Sequence, residues 1–198
     1  GDWKPLTFKK IEKHTVYTVV KDGETTAVKA ISEASASGLT REITINLKDY
    51  PIVQWRWKVA NVLQKGDVTR KEGDDYPARL YITFEYDPKK VSLAQKFKYK
   101  LGRMLFGGIP IAAINYIWES KTPKETIVDN AYTDFSKMVV VESGGEKVGQ
   151  WVEEERNVYE DYKRAFGEEP PPIRSIGIMT DSDNTGTDAE AYYGDILF

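Results

Sequence analysis

The sequence predicts an all-β protein in which two sheets pack as a sandwich. Most of the chain consists of short stretches in which apolar and polar residues alternate, the period of a half-buried strand. Clusters of Gly, Asp, Asn and Pro separate these stretches, and helices do not alternate with them as in a parallel βαβ sheet. The apolar stretch 191–198 ends at Phe198, so we expect it to be paired in a sheet rather than frayed.

Nine strands are predicted along the chain. They are Thr15–Val20, Thr25–Ile31, Arg41–Leu47, Ile52–Val59, Ala78–Tyr86, Ala113–Glu119, Met138–Glu142, Ile173–Thr180 and Tyr192–Phe198. The first two flank the sequence Lys-Asp-Gly-Glu at 21–24, whose Asp-Gly pair is a strong hairpin signal. Two stretches have helical spacing instead, Ser92–Phe106 and Val152–Phe166, and we expect them to be helical insertions at the edges of the sandwich. No domain boundary is evident, so residues 1–198 are predicted to form a single domain.

Composition excludes several classes of function. A net charge of −3 gives no electrostatic case for binding nucleic acid or an anionic membrane. No apolar run reaches the roughly 18 residues that span a bilayer. Because the chain has no cysteine, disulfides, thiolate zinc sites and cysteine nucleophiles are excluded together. Neither the composition nor the length predicts an oligomeric state.

The sequence lacks the motifs of the common enzyme classes. The single histidine, His14, is not accompanied by a Gly-x-Ser-x-Gly elbow, and no His-Glu-x-x-His or phosphate-binding glycine loop occurs. A pair of carboxylates is enough for glycoside hydrolysis, and Asp74, Asp75 and Glu119 are candidates for such a pair. Most carboxylates are simply solvated, however, so we assign no catalytic residues and favour a protein that is not an enzyme.

The acidic stretch 181–188 suggests a calcium site. Asp181, Asp183 and Gly186 occupy positions one, three and six of an EF-hand loop, but Tyr192 stands where a bidentate glutamate belongs. The EF-hand interpretation therefore fails. A structural calcium site of another kind, built from these loop carboxylates, is one interpretation. A polar turn in which Asp and Asn bond to their own backbone is the other.

Aromatic and polar residues share the faces of three predicted strands. Alternation places Trp55 and Trp57 on an apolar face, and Arg79 and Tyr81 on a polar one. Rings that stack on sugars, together with charged groups that bond hydroxyls, are typical of a carbohydrate-binding surface. The residues predicted to bind the ligand are Asp74, Asp75, Arg79, Tyr81, Asn115, Trp118 and Glu119. The alternative for each tryptophan is an ordinary place in the core.

A set of motifs resembles a known family over nearly the whole chain. The motifs are Trp-Arg-Trp-Lys-Val at 55–59, Lys-Gly-Asp at 65–67, Gly-Asp-Asp-Tyr-Pro-Ala-Arg-Leu-Tyr at 73–81, Asn-Tyr-Ile-Trp-Glu at 115–119, Gly-Gln-Trp at 149–151, Glu-Glu-Glu-Arg-Asn-Val-Tyr at 153–159 and Ile-Met-Thr-Asp-Ser-Asp-Asn-Thr-Gly at 178–186. Together they look like a bacterial family of exported proteins classified as a domain of unknown function. This resemblance implies a periplasmic or secreted location and brings no known activity.

At a coarser level, the chain is similar to the jelly-roll sandwiches of galactose-binding-like and carbohydrate-binding modules. Many of these close with an aromatic strand ending in an Asp-Ile pair, as at 193–196, and a carboxylate there helps to hold a structural calcium. The resemblance thus implies Asp195 as a metal ligand beside Asp181 and Asp183. We expect a non-catalytic domain that binds a carbohydrate or an envelope glycan. A carboxylate-based glycoside hydrolase or lyase is one alternative, and an envelope protein-interaction module without a small ligand is the other.

Overall fold

A computed structural model describes residues 2–85 and 112–198, and within them the predicted two-sheet β-sandwich is confirmed. The strands are β1 Lys4–Leu6, β2 Val16–Asp22, β3 Thr25–Glu33, β4 Ala36–Ile45, β5 Ile52–Val59, β6 Ala78–Phe84, β7 Ala113–Glu119, β8 Ile127–Asn130, β9 Thr133–Ser143, β10 Val152–Asn157, β11 Ile173–Asp181 and β12 Asp188–Leu197. One helix, α1, spans Val158–Phe166, and a 3₁₀ turn spans Lys71–Gly73.

The strands form a larger and a smaller sheet. The seven-stranded sheet has the order β1-β4-β11-β6-β7-β9-β8, and the five-stranded sheet has the order β10-β5-β12-β3-β2. Among the described strands, all pairings are antiparallel except that of β7 with β9. The hairpin β2–β3 turns at Gly23, whose φ of 63° suits the Asp-Gly turn that the sequence predicted. Other pairings join strands that are far apart in the sequence, such as β11 with β4 and β6, and these pairings determine where distant segments meet.

The core lies between the two sheets and contains the tryptophans of β5 and β7. Trp55 and Trp57 alternate with polar residues along β5, and both pack against rings of β7. Ring centroids lie 5.3 Å apart for Trp55 and Tyr116 and 6.2 Å apart for Trp57 and Trp118. Such aromatic pairs contribute about 0.5 to 1.5 kcal/mol each beyond the area that they bury. The core interpretation of these tryptophans is therefore confirmed.

The predicted helix Val152–Phe166 is only half correct. Val152–Asn157 is a strand that pairs with β5, and the helix starts at Val158. Glu153, Glu154 and Glu155 therefore lie on an edge strand rather than in a first helical turn, because backbone pairing with β5 outweighs the favourable helix propensity of glutamate. The other predicted helix, Ser92–Phe106, lies outside the described residues. In the described part of the chain, no helix has both the length and the apolarity needed to cross a membrane.

Candidate functional site

Five of the predicted site residues converge at one end of the seven-stranded sheet. The register of β11 with β6 pairs Met179 with Arg79, so the end of β11 lies beside the segment that leads into β6. This pairing brings Asp181 to Arg79 and places the loop after β11 against Asp74 and Asp75. We call Asp74, Asp75, Arg79, Asp181 and Asp183 the acidic cluster. Four of its five members are buried, and Asp183 is half-buried.

The centre of the acidic cluster is a buried ion pair. The Arg79 Nη2 donates to Asp181 Oδ2 at 2.7 Å, and the two side chains are 7% and 3% exposed. The guanidinium also lies over the ring of Tyr76, 4.7 Å from its centroid. Asp181 Oδ1 accepts the backbone N–H of Tyr76 at 3.3 Å. Arg79 thus joins β6 to the end of β11, and it carries the one positive charge among the five residues of the cluster.

Asp74 and Asp75 are held by hydrogen bonds from two asparagines. Asn130 donates its side-chain amide to both oxygens of Asp74 at 3.1 Å. Asp75 accepts the backbone and side-chain N–H groups of Asn184 and the backbone N–H of Thr185, the last at 2.6 Å. These bonds fix both carboxylates against the loop that follows β11. That rigidity suits either a binding site or a structural turn.

An exposed aromatic ring, which the sequence did not single out, lies beside the acidic cluster. Tyr132 is 47% exposed, and its hydroxyl donates to Asn184 Oδ1 at 2.8 Å. Because Asn184 also donates to Asp75, the phenol is linked to the cluster through one amide. The Lys71 ammonium lies 5.3 Å from the centroid of the same ring. Tyr132 was difficult to identify from the sequence because it lies in the turn between β8 and β9, outside any strand pattern or motif.

The charge balance of the acidic cluster is unfavourable for four ionised carboxylates. Burial raises the pKa of Asp183, and the neighbouring Asp75 carboxylate raises it further. Burial likewise raises the pKa of Asp181, although Arg79 opposes that rise. Four carboxylates around one guanidinium leave excess negative charge. Protons or a bound cation would remove that excess.

Three of these carboxylates have the spacing of a cation site. Asp75, Asp181 and Asp183 each offer one oxygen, and the three oxygens lie within 4.8 Å of one another. Ca²⁺ takes oxygen ligands at about 2.3 to 2.6 Å, so a single ion could touch all three. The predicted ligands Asp181 and Asp183 therefore fit a cation by type and spacing. The third carboxylate of the group is Asp75, which the sequence analysis assigned to the carbohydrate site and not to the metal site.

Asp195 does not join them, which corrects the expectation carried by the resemblance. It lies on β12 in the five-stranded sheet, its side chain is 76% exposed, and it pairs with Arg56 at 3.4 Å. No group of potential metal ligands among residues 2–85 and 112–198 includes it. The aromatic closing strand is present, but the register of β12 with β5 shifts between Tyr193 and Ile196. Asp195 is therefore exposed, although strict alternation would place it on the same face as the buried Tyr193.

Trp118 cannot serve as a sugar platform in this structure. It is fully buried on the core face of β7, where its indole N–H donates to the carbonyl of Gly144 at 3.0 Å. The suggested platforms Trp55 and Trp57 are excluded for the same reason, at 4% and 0% exposure. Alternation along the strands correctly placed Trp55 and Trp57 on one apolar face of β5, but it did not show whether that face is buried in the core or exposed.

Tyr81, Asn115 and Glu119 lie on the outer face of the seven-stranded sheet but not in the acidic cluster. Tyr81 pairs with Asn115 across β6 and β7, and the Asn115 amide donates to the Ser136 hydroxyl at 2.7 Å. Glu119 is 1% exposed and accepts the backbone N–H groups of Lys121 and Thr122 at 2.5 Å. Glu119 Oε2 therefore stabilises the turn that follows β7, and the burial of the side chain keeps it away from a ligand that approaches from solvent.

Comparisons with known proteins place the chain in a family and show distant likenesses of fold. A family model described as "Protein of unknown function (DUF3047)" matches residues 1–197. No curated protein sequence matches. Among solved structures, the family 11 carbohydrate-binding module of the cellulosomal cellulase Lic26A-Cel5E of Clostridium thermocellum aligns with a TM-score of 0.45 and 8% identity, over 98% of this chain and 85% of that one.

A second structure of a family 11 carbohydrate-binding module from Clostridium thermocellum holds a β-1,3-1,4-mixed-linked tetrasaccharide. It aligns with a TM-score of 0.40 and 8% identity, over 98% of this chain and 86% of that one. With TM-scores below 0.5, these likenesses carry no information about what this chain binds. Its function has to be argued from its own residues.

Proposed function

Since this chain belongs to the DUF3047 family, whose function is unknown, we propose from its own geometry that it is a non-catalytic carbohydrate-binding protein. The site is the acidic cluster together with Tyr132, Asn130 and Asn184. One observation carries the proposal. An exposed phenol ring is linked by Asn184 to buried carboxylates, next to the half-buried Asp183. From the resemblance of the sequence motifs to exported proteins, we also propose a periplasmic or secreted location and an envelope glycan as the ligand.

The chemistry of this site suits a sugar better than a charged ligand. A pyranose offers apolar C–H faces that pack on an aromatic ring, and hydroxyls that both donate and accept hydrogen bonds. Tyr132 supplies the ring, Asp183 supplies acceptors, and the amides of Asn130 and Asn184 supply both kinds of group. Hydrogen bonds already hold Tyr132, Asn130 and Asn184 in place, so binding costs little ordering entropy at these three residues.

A structural calcium ion at Asp75, Asp181 and Asp183 is a second part of the proposal. The spacing of the three oxygens within 4.8 Å supports it, and so does the excess negative charge of the acidic cluster. When bound, the ion would supply positive charge to the loop after β11 and would orient Asn184 beneath Tyr132. Asp75 and Asp181 would keep their present hydrogen bonds through their remaining lone pairs.

Hydrolysis by the same carboxylates is less well supported. Their oxygens are close enough for a retaining glycosidase, in which the two carboxyl groups lie about 5 to 5.5 Å apart. Asp75 and Asp181 are only 1% and 2% exposed, however, and both oxygens of each accept hydrogen bonds. A nucleophile must reach the sugar, so this arrangement favours binding over catalysis.

A glycan array, run once with calcium and once with a chelator, tests the proposal. We expect a reproducible hit that weakens about tenfold in Tyr132→Ala, which corresponds to about 1.4 kcal/mol. Tyr50→Ala is the matched control, because Tyr50 is also an exposed tyrosine, 59% against 47% for Tyr132, and lies outside the acidic cluster. A blank array under both conditions, or equal losses in the two variants, would overturn the proposal and favour a protein-interaction module. Cleavage of the bound glycan would point to the hydrolase or lyase.

A further inference from the structure

Strand β2 is an exposed edge of the five-stranded sheet. It pairs with β3 on one side and, among the described strands, with none on the other. Residues 16–20, Val-Tyr-Thr-Val-Val, are five consecutive uncharged β-formers. Val16 and Val19 are 58% and 75% exposed, and Ile31, which faces Val16 on β3, is 37% exposed. An edge with this composition is a template for another strand.

The other three sheet edges in the described residues are protected, whereas β2 carries charge only at its end, Lys21 and Asp22, and residues 16–20 are unprotected. Strand β1 has three residues, two of which are Lys4 and Pro5. Strand β8 has four residues and carries Asp129. Strand β10 is charged along most of its length, with the sequence Val-Glu-Glu-Glu-Arg-Asn. Charge, proline and short length are the devices that prevent edges from pairing. Residues 16–20 have neither charge nor proline, and the register from Val16 to Asp22 contains no bulge.

We propose that two copies of this chain dimerise by pairing their β2 strands antiparallel about a two-fold axis through Thr18. An axis perpendicular to the sheet keeps inner and outer faces matched, so each residue meets a partner of the same face. Thr18 then faces Thr18, Val16 faces Val20, and Tyr17 faces Val19. The two five-stranded sheets become one continuous sheet, and the apolar side chains of the edge are covered.

The charges that flank the segment are compatible with this register. Lys21 falls opposite Thr15, and Asp22 falls opposite His14, so no like charges face each other along β2 itself, residues 16–22. This self-complementarity is why a second copy fits the edge better than an unrelated strand. Tyr17 already bonds its hydroxyl to the carbonyl of Ser37, which holds the strand in the orientation that the pairing needs. The dimer does not depend on the proposed carbohydrate site, which lies on the other sheet.

Sedimentation over a range of protein concentrations tests this proposal. We expect the wild type to pass from monomer to dimer, and Val19→Lys to stay monomeric because a lysine on the edge has no partner. Leu197→Lys is the matched control, since Leu197 is 59% exposed on β12 and its substitution adds the same charge. A wild type that is monomeric at every concentration would refute the dimer, and so would a Val19→Lys variant that dimerises normally. Circular dichroism verifies that each variant is folded.

Cross-linking tests the register itself, and the absence of native cysteine makes the result unambiguous. Residues directly opposite in an antiparallel pair have Cα atoms about 4.5 to 5.5 Å apart, within reach of a disulfide. Thr18→Cys should therefore form a covalent dimer under mild oxidation. The control is Val16→Cys, whose two copies would lie about 13 Å apart along the strands. Equal cross-linking of both variants would indicate random collision and would contradict the proposed axis.

Discussion

Glu154 is a half-buried carboxyl group on strand β10, opposite Trp55 of β5. Burial raises the pKa of Glu154 to about 7, and the nearby Glu142 adds to that rise, while Lys124 and Lys147 oppose it. Glu142 accepts from both lysines, at 3.2 and 2.6 Å, so their charge is largely committed to that partner. Glu154 thus makes the free energy of unfolding of this protein depend on pH near neutrality.

The sign of this coupling follows from the direction of the shift. Because the pKa of Glu154 rises from 4.5 to about 7 on folding, the native state holds a proton that the unfolded state has lost. The free energy of unfolding therefore falls as pH rises through this window, by about 1 to 3 kcal/mol. We expect Glu154→Gln to remove this part of the pH dependence in urea unfolding measured from pH 4 to pH 8.

Glu153→Gln is the matched control for that measurement. Glu153 is the exposed neighbour on the same strand, so its substitution changes the net charge equally but leaves the buried carboxyl in place. The control should keep the wild-type slope of stability against pH. If both variants flatten the slope equally, net charge rather than the burial of Glu154 governs it.

At the scale of one element, helix α1 is defined by its two ends. Asn157 Oδ1 accepts the backbone N–H of Glu160 at 3.0 Å, the bond of an N-cap. Gly167 ends the helix in the left-handed region, at φ 75°, and its N–H donates to the carbonyl of Lys163 at 2.9 Å. The first of these bonds also sets the boundary between β10 and the helix.

Substitution of the cap tests that boundary. Asn157→Ala removes the acceptor, so we expect a loss of about 1 kcal/mol in the free energy of unfolding, measured by urea titration. Asn157→Asp keeps a side-chain acceptor and should retain most of the stability. If the two variants lose the same amount, the cap is not what stabilises the start of α1.

The elements show which parts of the fold a sequence can predict. Alternation predicted β5 and β7 with correct bounds, because both strands have one strictly apolar face. It missed β10, whose charged residues become a strand only through pairing with β5, a partner about a hundred residues away. It also missed β1 and β8, which are too short to show a period.

At the scale of the whole molecule, the acidic cluster could be predicted only in halves. Asp74, Asp75 and Arg79 came from one motif, and Asp181 and Asp183 from another, about a hundred residues apart. Their meeting depends on the register of β11 with β6, which no local pattern encodes. Tyr132 and Asn130 enter from a third segment by the same kind of long-range pairing. For this reason the predicted ligand and metal sites are neighbours in the structure rather than separate places.

This convergence makes global stability sensitive to the charge of the acidic cluster. Burial and the neighbouring Asp75 raise the pKa of Asp183, so the ionised form of Asp183 destabilises the folded state near neutral pH. Without calcium, we therefore expect Asp183→Asn to raise the melting temperature. With calcium, the wild type should gain about 2.7 kcal/mol when the free ion is a hundredfold above its dissociation constant. Asp183→Asn should gain much less, because one of three ligands has lost its charge.

Differential scanning calorimetry with and without calcium separates these effects, and Asp188→Asn is the control. Asp188 is exposed and follows the same loop, but it is not among the three clustered carboxylates. Acidification should weaken the calcium effect in the wild type, since protons compete for the same oxygens. If calcium leaves the wild type unchanged at pH 8 while Asp183→Asn is still stabilised, then protons alone balance the charge of the cluster. The turn would then be stabilised by hydrogen bonds without an ion.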